Sequence, residues 1–163
     1  TTEIYTLSLH DALPIFGQSE WDAFMAKVPK HVLVVLDEAY TEYVSQADYA
    51  DGLRELAKYD NLIVTRTFSK AYGLAGFRLG FAACSAEIAG YINRVRQPFN
   101  VNSLAMVAGI AALADQEFVQ ESVAVNRKGM TIWQQALSLL GLEAIPSQGN
   151  FLCVDMGQPA QPL

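Results

Sequence analysis

The feature that most constrains this chain is an unbroken apolar run, Val32 to Leu36, which ends directly at the acidic pair Asp37-Glu38. A run of β-branched and leucine residues with no polar alternation is typical of a strand that is buried on both faces of a sheet. A second run, 61–65, has the same character, and residues 48–58 between the two carry a weaker helical pattern. We therefore predict a β–α–β unit over residues 32–66.

The rest of the chain continues this alternation of strand-like and helix-like segments. The further predicted elements are a short helix capped by Ser19 and ended by Pro29, a strand over 78–84, a helix over 86–95, a long alanine-rich helix over 102–140 that is broken near Asp115, and a strand over 151–156. Strands that alternate with helices indicate an α/β layered fold.

Composition narrows the classes of function. With 11 Lys and Arg against 17 Asp and Glu, the formal net charge is −6, and such a balance disfavours binding to nucleic acid. Cys84 and Cys153 are far apart, and neither they nor the two histidines show a metal-binding spacing, so no metal site and no disulfide framework are expected. No apolar run approaches the length of a membrane span, so we expect no membrane partner and a cytoplasmic location.

Six polar side chains lie at or just beyond the ends of the predicted strands. They are Asp37, Tyr40, Thr67, Ser69, Lys70 and Arg78. Ligands of open α/β sheets bind at the carboxyl ends of strands, and this combination of an acid, a phenol, hydroxyls, a lysine and an arginine suits a phosphorylated aromatic cofactor that contains nitrogen. Taken singly, each residue also has an ordinary interpretation, such as a helix cap, a packing residue or a solvated cation.

The motifs around these residues resemble one enzyme family. Val35-Leu-Asp-Glu-Ala-Tyr40 and Thr67-Phe-Ser-Lys-Ala-Tyr-Gly-Leu-Ala-Gly-Phe-Arg-Leu-Gly80 are similar to the motifs of fold-type I pyridoxal-phosphate aminotransferases, and most similar to those of the histidinol-phosphate aminotransferases. Arg96-Gln-Pro-Phe-Asn-Val-Asn102 and Ser147-Gln-Gly-Asn-Phe-Leu152 extend the resemblance over about 16–156. The fold implied is part of the large cofactor-binding domain, with a mixed, mostly parallel sheet, plus the start of a smaller C-terminal domain.

The resemblance also implies a role for each of the six residues. Lys70 would carry pyridoxal 5′-phosphate covalently and act as the catalytic base, Asp37 would bond the pyridine nitrogen, and Tyr40 would bond the 3′-oxygen. The cofactor phosphate would be held by Ser69 and Arg78, with Thr67 as a further contact.

The implied reaction is a transamination between glutamate or 2-oxoglutarate and histidinol phosphate or imidazole-acetol phosphate, in histidine biosynthesis. The implied partners are small amino-acid and keto-acid substrates and a second copy of the full-length protein in a homodimer. A related enzyme on the same scaffold, such as an amino-acid phosphate decarboxylase or an aromatic aminotransferase, is an alternative. A non-catalytic, truncated α/β module is another.

The chain departs from the family at both ends. Residues 1–15 resemble a translated sequencing adapter, so we predict a non-native segment there, in place of the family's asparagine motif and aromatic stacking residue. We predict a partial large domain over 16–115, and an interdomain helix with a truncated small domain over 116–163. The arginine that binds the substrate carboxylate in this family would lie beyond Leu163, so this chain is expected to be an inactive fragment of an active parent enzyme.

Overall fold

A computed structural model describes residues 4–8 and 16–157 of the chain. The strands are β1 (Ile4–Ser8), β2 (Leu33–Asp37), β3 (Leu62–Thr67), β4 (Gly80–Cys84), β5 (Glu143–Ile145) and β6 (Cys153–Asp155). The helices are α1 (Gln18–Met25), α2 (Gly52–Glu55), α3 (Ala86–Val95), α4 (Ser103–Ala114) and α5 (Gln116–Leu139). The predicted α/β alternation is confirmed, although α2 is a single turn rather than a helix over 48–58.

The first helix begins earlier than the sequence predicted. Gly17, not Ser19, is its cap, and the Glu20 carboxylate accepts the Gly17 backbone N–H at 3.1 Å. This bond satisfies a backbone donor at the start of the helix that has no intrahelical partner. The prediction of Ser19 as the cap is therefore wrong, because the acidic residue after it bonds back to Gly17.

Four strands form a mixed sheet in the order β1-β2-β3-β4. β1, β2 and β3 are parallel, whereas β4 runs antiparallel to β3. Asp37 pairs with Thr65, and Thr67 pairs with Gly80. The ends of β2 and β3 therefore meet the start of β4 at one edge of the sheet. β1 lies within the segment predicted to be non-native, and that prediction stays untested.

The core lies against one face of this sheet. Val34, Leu36, Leu62 and Val64 are at most 4% exposed and pack with Trp21 of α1. The alternate residues of β2 and β3 on the opposite face are only partly buried. The prediction that the first strand is buried on both faces is therefore wrong for the residues described, because α1 and α2 cover one face alone. The other face is left open for a cavity.

The second half of the chain is mainly helical. The predicted break of the long helix at Asp115 is confirmed, since its carboxylate accepts the Phe118 N–H at 3.1 Å and caps α5 after α4 has ended. β5 and β6 then form an antiparallel pair. The sequence missed β5 because three residues carry too little periodicity. Among the helices of residues 16–157, none has the length and apolarity to cross a membrane.

Candidate functional site

An open cavity of about 440 Å³ lies where the ends of β2 and β3 meet the start of β4. Five of the six predicted site residues line it: Asp37, Thr67, Ser69, Lys70 and Arg78. They come from the end of β2 and from residues 67–78, and the parallel pairing of β2 with β3 brings these two parts of the chain together. These five residues contribute one carboxylate, two hydroxyls and two cations to the cavity.

Asp37 is the last residue of β2. Its Oδ1 accepts the backbone N–H of Ala39 at 3.1 Å, a local bond that fixes the carboxylate where the strand gives way to a turn. The group is half-buried at the cavity wall. A carboxylate held in this way can accept a hydrogen bond from a ligand N–H and stabilise positive charge on it.

Lys70 lies in the turn that follows β3. Its Nζ is 5.1 Å from the centre of the Tyr40 ring, within the range of a cation–π contact. Tyr40 does not line the cavity, but this contact places it next to the Lys70 amine. The Tyr40 ring also packs edge-on against Phe151, with 5.2 Å between ring centres. The contact with Lys70 therefore places Tyr40, the sixth predicted residue, beside the cavity lined by the other five.

The remaining predicted residues, Thr67, Ser69 and Arg78, form a cluster of hydrogen-bond donors, which we call the cradle. Thr67 Oγ1 accepts the Ser69 backbone N–H at 3.1 Å, which holds both hydroxyl residues in one tight turn. Arg78 has a φ of 56°, in the left-handed region, where a side chain other than glycine is strained. Its guanidinium is exposed and donates to the carbonyl oxygen of Ala75 at 3.1 Å. Strain of this kind clusters at ligand sites, and guanidinium, ammonium and hydroxyl groups together suit a phosphate.

Sequence reasoning missed five residues that line the cavity: Ala39, Thr65, Arg66, Leu79 and Gly80. Period-two alternation could have identified Thr65, because it lies on the same face of β3 as Thr67. Gly80 has a different role. A side chain there would lie 2.8 Å from the carbonyl oxygen of Arg66, so only glycine lets β4 approach β3 this closely.

A buried charge network lies behind the cavity. Glu38 is fully buried and pairs with Arg66 at 2.7 Å. Burial of Arg66 acts to lower its pKa, but the hydrogen bond and the charge of Glu38 outweigh this, so the pKa of Arg66 is raised. Burial, together with the charge of Glu38, raises the pKa of the Tyr49 hydroxyl. Arg66 therefore stays charged and Tyr49 stays neutral at ordinary pH.

A mixed α/β sheet with a lysine, an aspartate and an anion cradle at one edge defines a class of cofactor-dependent enzyme folds. Residues 15–162 match the family described as aminotransferase class I and II. The chain belongs to this family.

Relatives and solved structures agree with this assignment. The chain is 57% identical over 143 residues to histidinol-phosphate aminotransferase 2 of Hydrogenovibrio crunogenus, covering 88% of this chain and 38% of that protein. The histidinol-phosphate aminotransferase of Sinorhizobium meliloti, solved with pyridoxal-5′-phosphate, superposes with a TM-score of 0.87 at 32% identity and covers 95% of this chain and 42% of that one. A Thermus thermophilus aspartate aminotransferase variant shares the fold, with a TM-score of 0.82 at 22% identity over 96% of this chain and 43% of that one. The predicted fold class is confirmed, and the chain spans about two fifths of these proteins.

Proposed function

We propose that this chain is part of a pyridoxal-phosphate-dependent histidinol-phosphate aminotransferase, called the parent enzyme below. The observation that carries the proposal is the cavity in which Asp37, Lys70 and Arg78 meet at one edge of the sheet. The groups present fit the cofactor: a carboxylate that can accept from a protonated ring nitrogen, a primary amine for an aldehyde carbon, and a guanidinium with hydroxyls that can donate to a phosphate. The relatives named histidinol-phosphate aminotransferase support the substrate class.

The bound cofactor supplies an electron sink for the charge that develops at the substrate α-carbon. Lys70 would hold the cofactor covalently through its amine and would move a proton to and from that α-carbon as a general base and acid. Asp37 would keep the ring nitrogen protonated through a charge-assisted hydrogen bond. Tyr40, held against Lys70, would donate to the ring oxygen.

The cofactor phosphate would be held by Thr67, Ser69 and Arg78. Arg78 would supply its guanidinium, and the hydroxyls of Ser69 and Thr67 would add further hydrogen bonds. The Thr67–Ser69 bond orders this turn before any ligand arrives, which reduces the entropy lost on binding.

The organisation of the parent enzyme is also a proposal. We assign residues 16–115 to its large domain and 116–163 to an interdomain helix and the start of its small domain, with residues 1–15 as non-native. We also propose that the parent enzyme is a cytoplasmic homodimer. The apolar surface of α4, where Leu104, Val107 and Ile110 are each about 70% exposed, is compatible with a subunit interface. Such a surface needs a covering layer, from the rest of the parent chain or from a second subunit.

A coupled assay tests the proposed function. The parent enzyme and the 163-residue chain are each purified and incubated with pyridoxal phosphate, glutamate and imidazole-acetol phosphate. We expect multiple turnovers from the parent enzyme and none from the short chain, because the short chain spans about two fifths of its relatives and exposes the α4 surface. Release of carbon dioxide without amino transfer would instead identify a decarboxylase, and turnover by the short chain at the parent rate would contradict the truncation.

Replacing Arg78 by Lys should weaken cofactor binding by the parent enzyme roughly 10- to 100-fold, the range expected when one or two charge-assisted hydrogen bonds are lost. Lysine keeps the charge but offers a point donor in place of a planar fork. Equilibrium titration of the apoenzyme with pyridoxal phosphate measures the change. Arg94→Lys, on exposed α3, is the matched control, and an equal loss of affinity in both variants would contradict the assignment of Arg78.

A further inference from the structure

The buried carboxylate Glu38 has no part in the function proposed above, although it follows Asp37 directly in the chain. Its side chain is 0% exposed. One oxygen, Oε1, accepts from the Tyr49 hydroxyl and from the backbone N–H of Gly52, the latter at 2.7 Å. The other oxygen, Oε2, accepts from Nε and Nη2 of Arg66, at 2.9 and 2.7 Å. Four donors therefore compensate this buried charge.

Arg66 extends the network to the helix behind the sheet. Its Nη2 also donates to Oδ1 of Asp51 at 3.0 Å, and Asp51 caps α2 by accepting the Leu53 N–H. Gly52 leaves no spare room, since a side chain there would lie 3.0 Å from Oε1 of Glu38. The ends of β2 and β3 are thus tied to each other and to the start of α2.

The bonds between Glu38 and Arg66 lie on the face of β2 and β3 opposite to Asp37 and Thr65, and Arg66 also borders the cavity at the edge of the sheet. Successive residues of a strand face opposite sides of the sheet. Asp37 and Thr65 are paired neighbours that line the cavity. Glu38 and Arg66 follow them by one residue and point to the other face, where they bond each other. The ion pair therefore fixes β2 and β3 directly behind the carboxylate.

We infer that Glu38 is a positioning residue, whose ion pair with Arg66 holds the ends of β2 and β3 so that Asp37 and Thr67 meet the cofactor in one fixed geometry. The inference rests on the proposed function. A bonded pair of buried charges has few alternative arrangements, because any displacement leaves an uncompensated charge in a poorly solvated place. The same constraint passes through the backbone to Asp37, one residue away.

A second buried carboxylate provides a matched control. Glu55 is 3% exposed and accepts from Trp21 Nε1 at 3.1 Å and from Lys58 at 2.8 Å. These bonds tie α1 to α2, away from the cavity. Glu38→Gln and Glu55→Gln each remove one buried charge while keeping the shape of the side chain, so both variants are expected to lower the thermal unfolding midpoint of the parent enzyme.

Of the two variants, only Glu38→Gln should change the kinetics and the geometry of the proposed cofactor site. We expect kcat to fall roughly 10- to 100-fold, the range found when a group that orients a metal ligand is lost, with a much smaller change in KM. We also expect an altered visible circular dichroism of the bound cofactor, which reports its orientation. Unchanged dichroism and kcat in Glu38→Gln, or equal changes in Glu55→Gln, would overturn the inference.

The double variant Glu38→Gln with Arg66→Met distinguishes a positioning role of Glu38 from a role in balancing the charge of Arg66. It also replaces the single variant in the test if Glu38→Gln alone does not fold. Removing both charges should restore much of the unfolding midpoint but not the dichroism, because the tie between β2 and β3 is still missing. Recovery of both the unfolding midpoint and the dichroism would mean that Glu38 only balances the charge of Arg66, which overturns the inference. If the unmodified parent enzyme gives no cofactor signal while remaining folded, the proposed function fails, and the inference with it.

Discussion

Replacing Lys70 by Ala should lower the transamination rate of the parent enzyme by about 10⁴-fold, the upper end of what a positioned general base contributes. In the proposed function, alanine would remove both the amine that binds the cofactor and the group that moves the α-carbon proton. The rate is measured with saturating pyridoxal phosphate, so that weaker cofactor binding does not account for the loss.

Chemical trapping identifies the lysine directly. Borohydride reduction of the cofactor-loaded enzyme, followed by peptide mass mapping, should place the pyridoxyl label on Lys70. Lys58→Ala is the control, because Lys58 is exposed and its contact is an ion pair with Glu55. A label found mainly on Lys58 or Lys128, or a Lys70→Ala enzyme with the parent rate, would refute the assignment.

Replacing Asp37 by Asn should reduce kcat by about 10²- to 10³-fold, the effect of removing one preorganised electrostatic contact from a reacting group. An amide cannot keep the ring nitrogen protonated as a carboxylate does. Cofactor binding should be partly retained, because in the proposed function Arg78 and the hydroxyls of Thr67 and Ser69 would hold the phosphate independently of Asp37. Steady-state kinetics and cofactor titration of the same preparation separate the two effects.

The control for this prediction is Asp60→Asn, an exposed aspartate in the turn before β3. It should leave both kcat and the cofactor affinity unchanged. An Asp37→Asn enzyme that turns over at nearly the parent rate would exclude an electrostatic role for this carboxylate.

The cavity could be predicted from the sequence because its parts follow local patterns. The apolar runs before Asp37 and before Thr67 each predict a strand, and parallel strands place their carboxyl ends at one edge. The structure confirms that Asp37, Thr67, Ser69, Lys70 and Arg78 line one cavity. Their roles toward the cofactor stay predictions, since the implied roles come from the family resemblance.

The network behind the cavity could not be predicted in the same way. Glu38 and Arg66 are far apart in sequence, and their contact depends on the register in which Asp37 pairs with Thr65. A shift of one strand by one residue would turn its side chains to the other face and so separate Glu38 from Arg66. Local patterns also place an acidic residue after a strand in solvent, whereas Glu38 is fully buried because four donors surround it.

The position of Tyr40 depends on contacts with residues that are even farther away in the sequence. Its ring packs on Phe151, which lies between β5 and β6, and a side chain added at Gly149 would lie 3.4 Å from the same ring. β5 escaped the sequence analysis, so nothing in the local pattern indicated what would cover Tyr40. Side chains that pack across such separations are fixed by the tertiary fold rather than by periodicity.

The antiparallel direction of β4 determines which site residues lie together on one short stretch of the sequence. Since β4 starts at the edge where β3 ends, one continuous connection, residues 68–79, delivers both Lys70 and Arg78 to the cavity. A parallel β4 would need a longer crossover, and its first residue would lie at the far edge of the sheet. The lysine and the arginine therefore belong to a single short module of sequence. An insertion there would move both groups at once, whereas the Asp37 side of the cavity can vary separately.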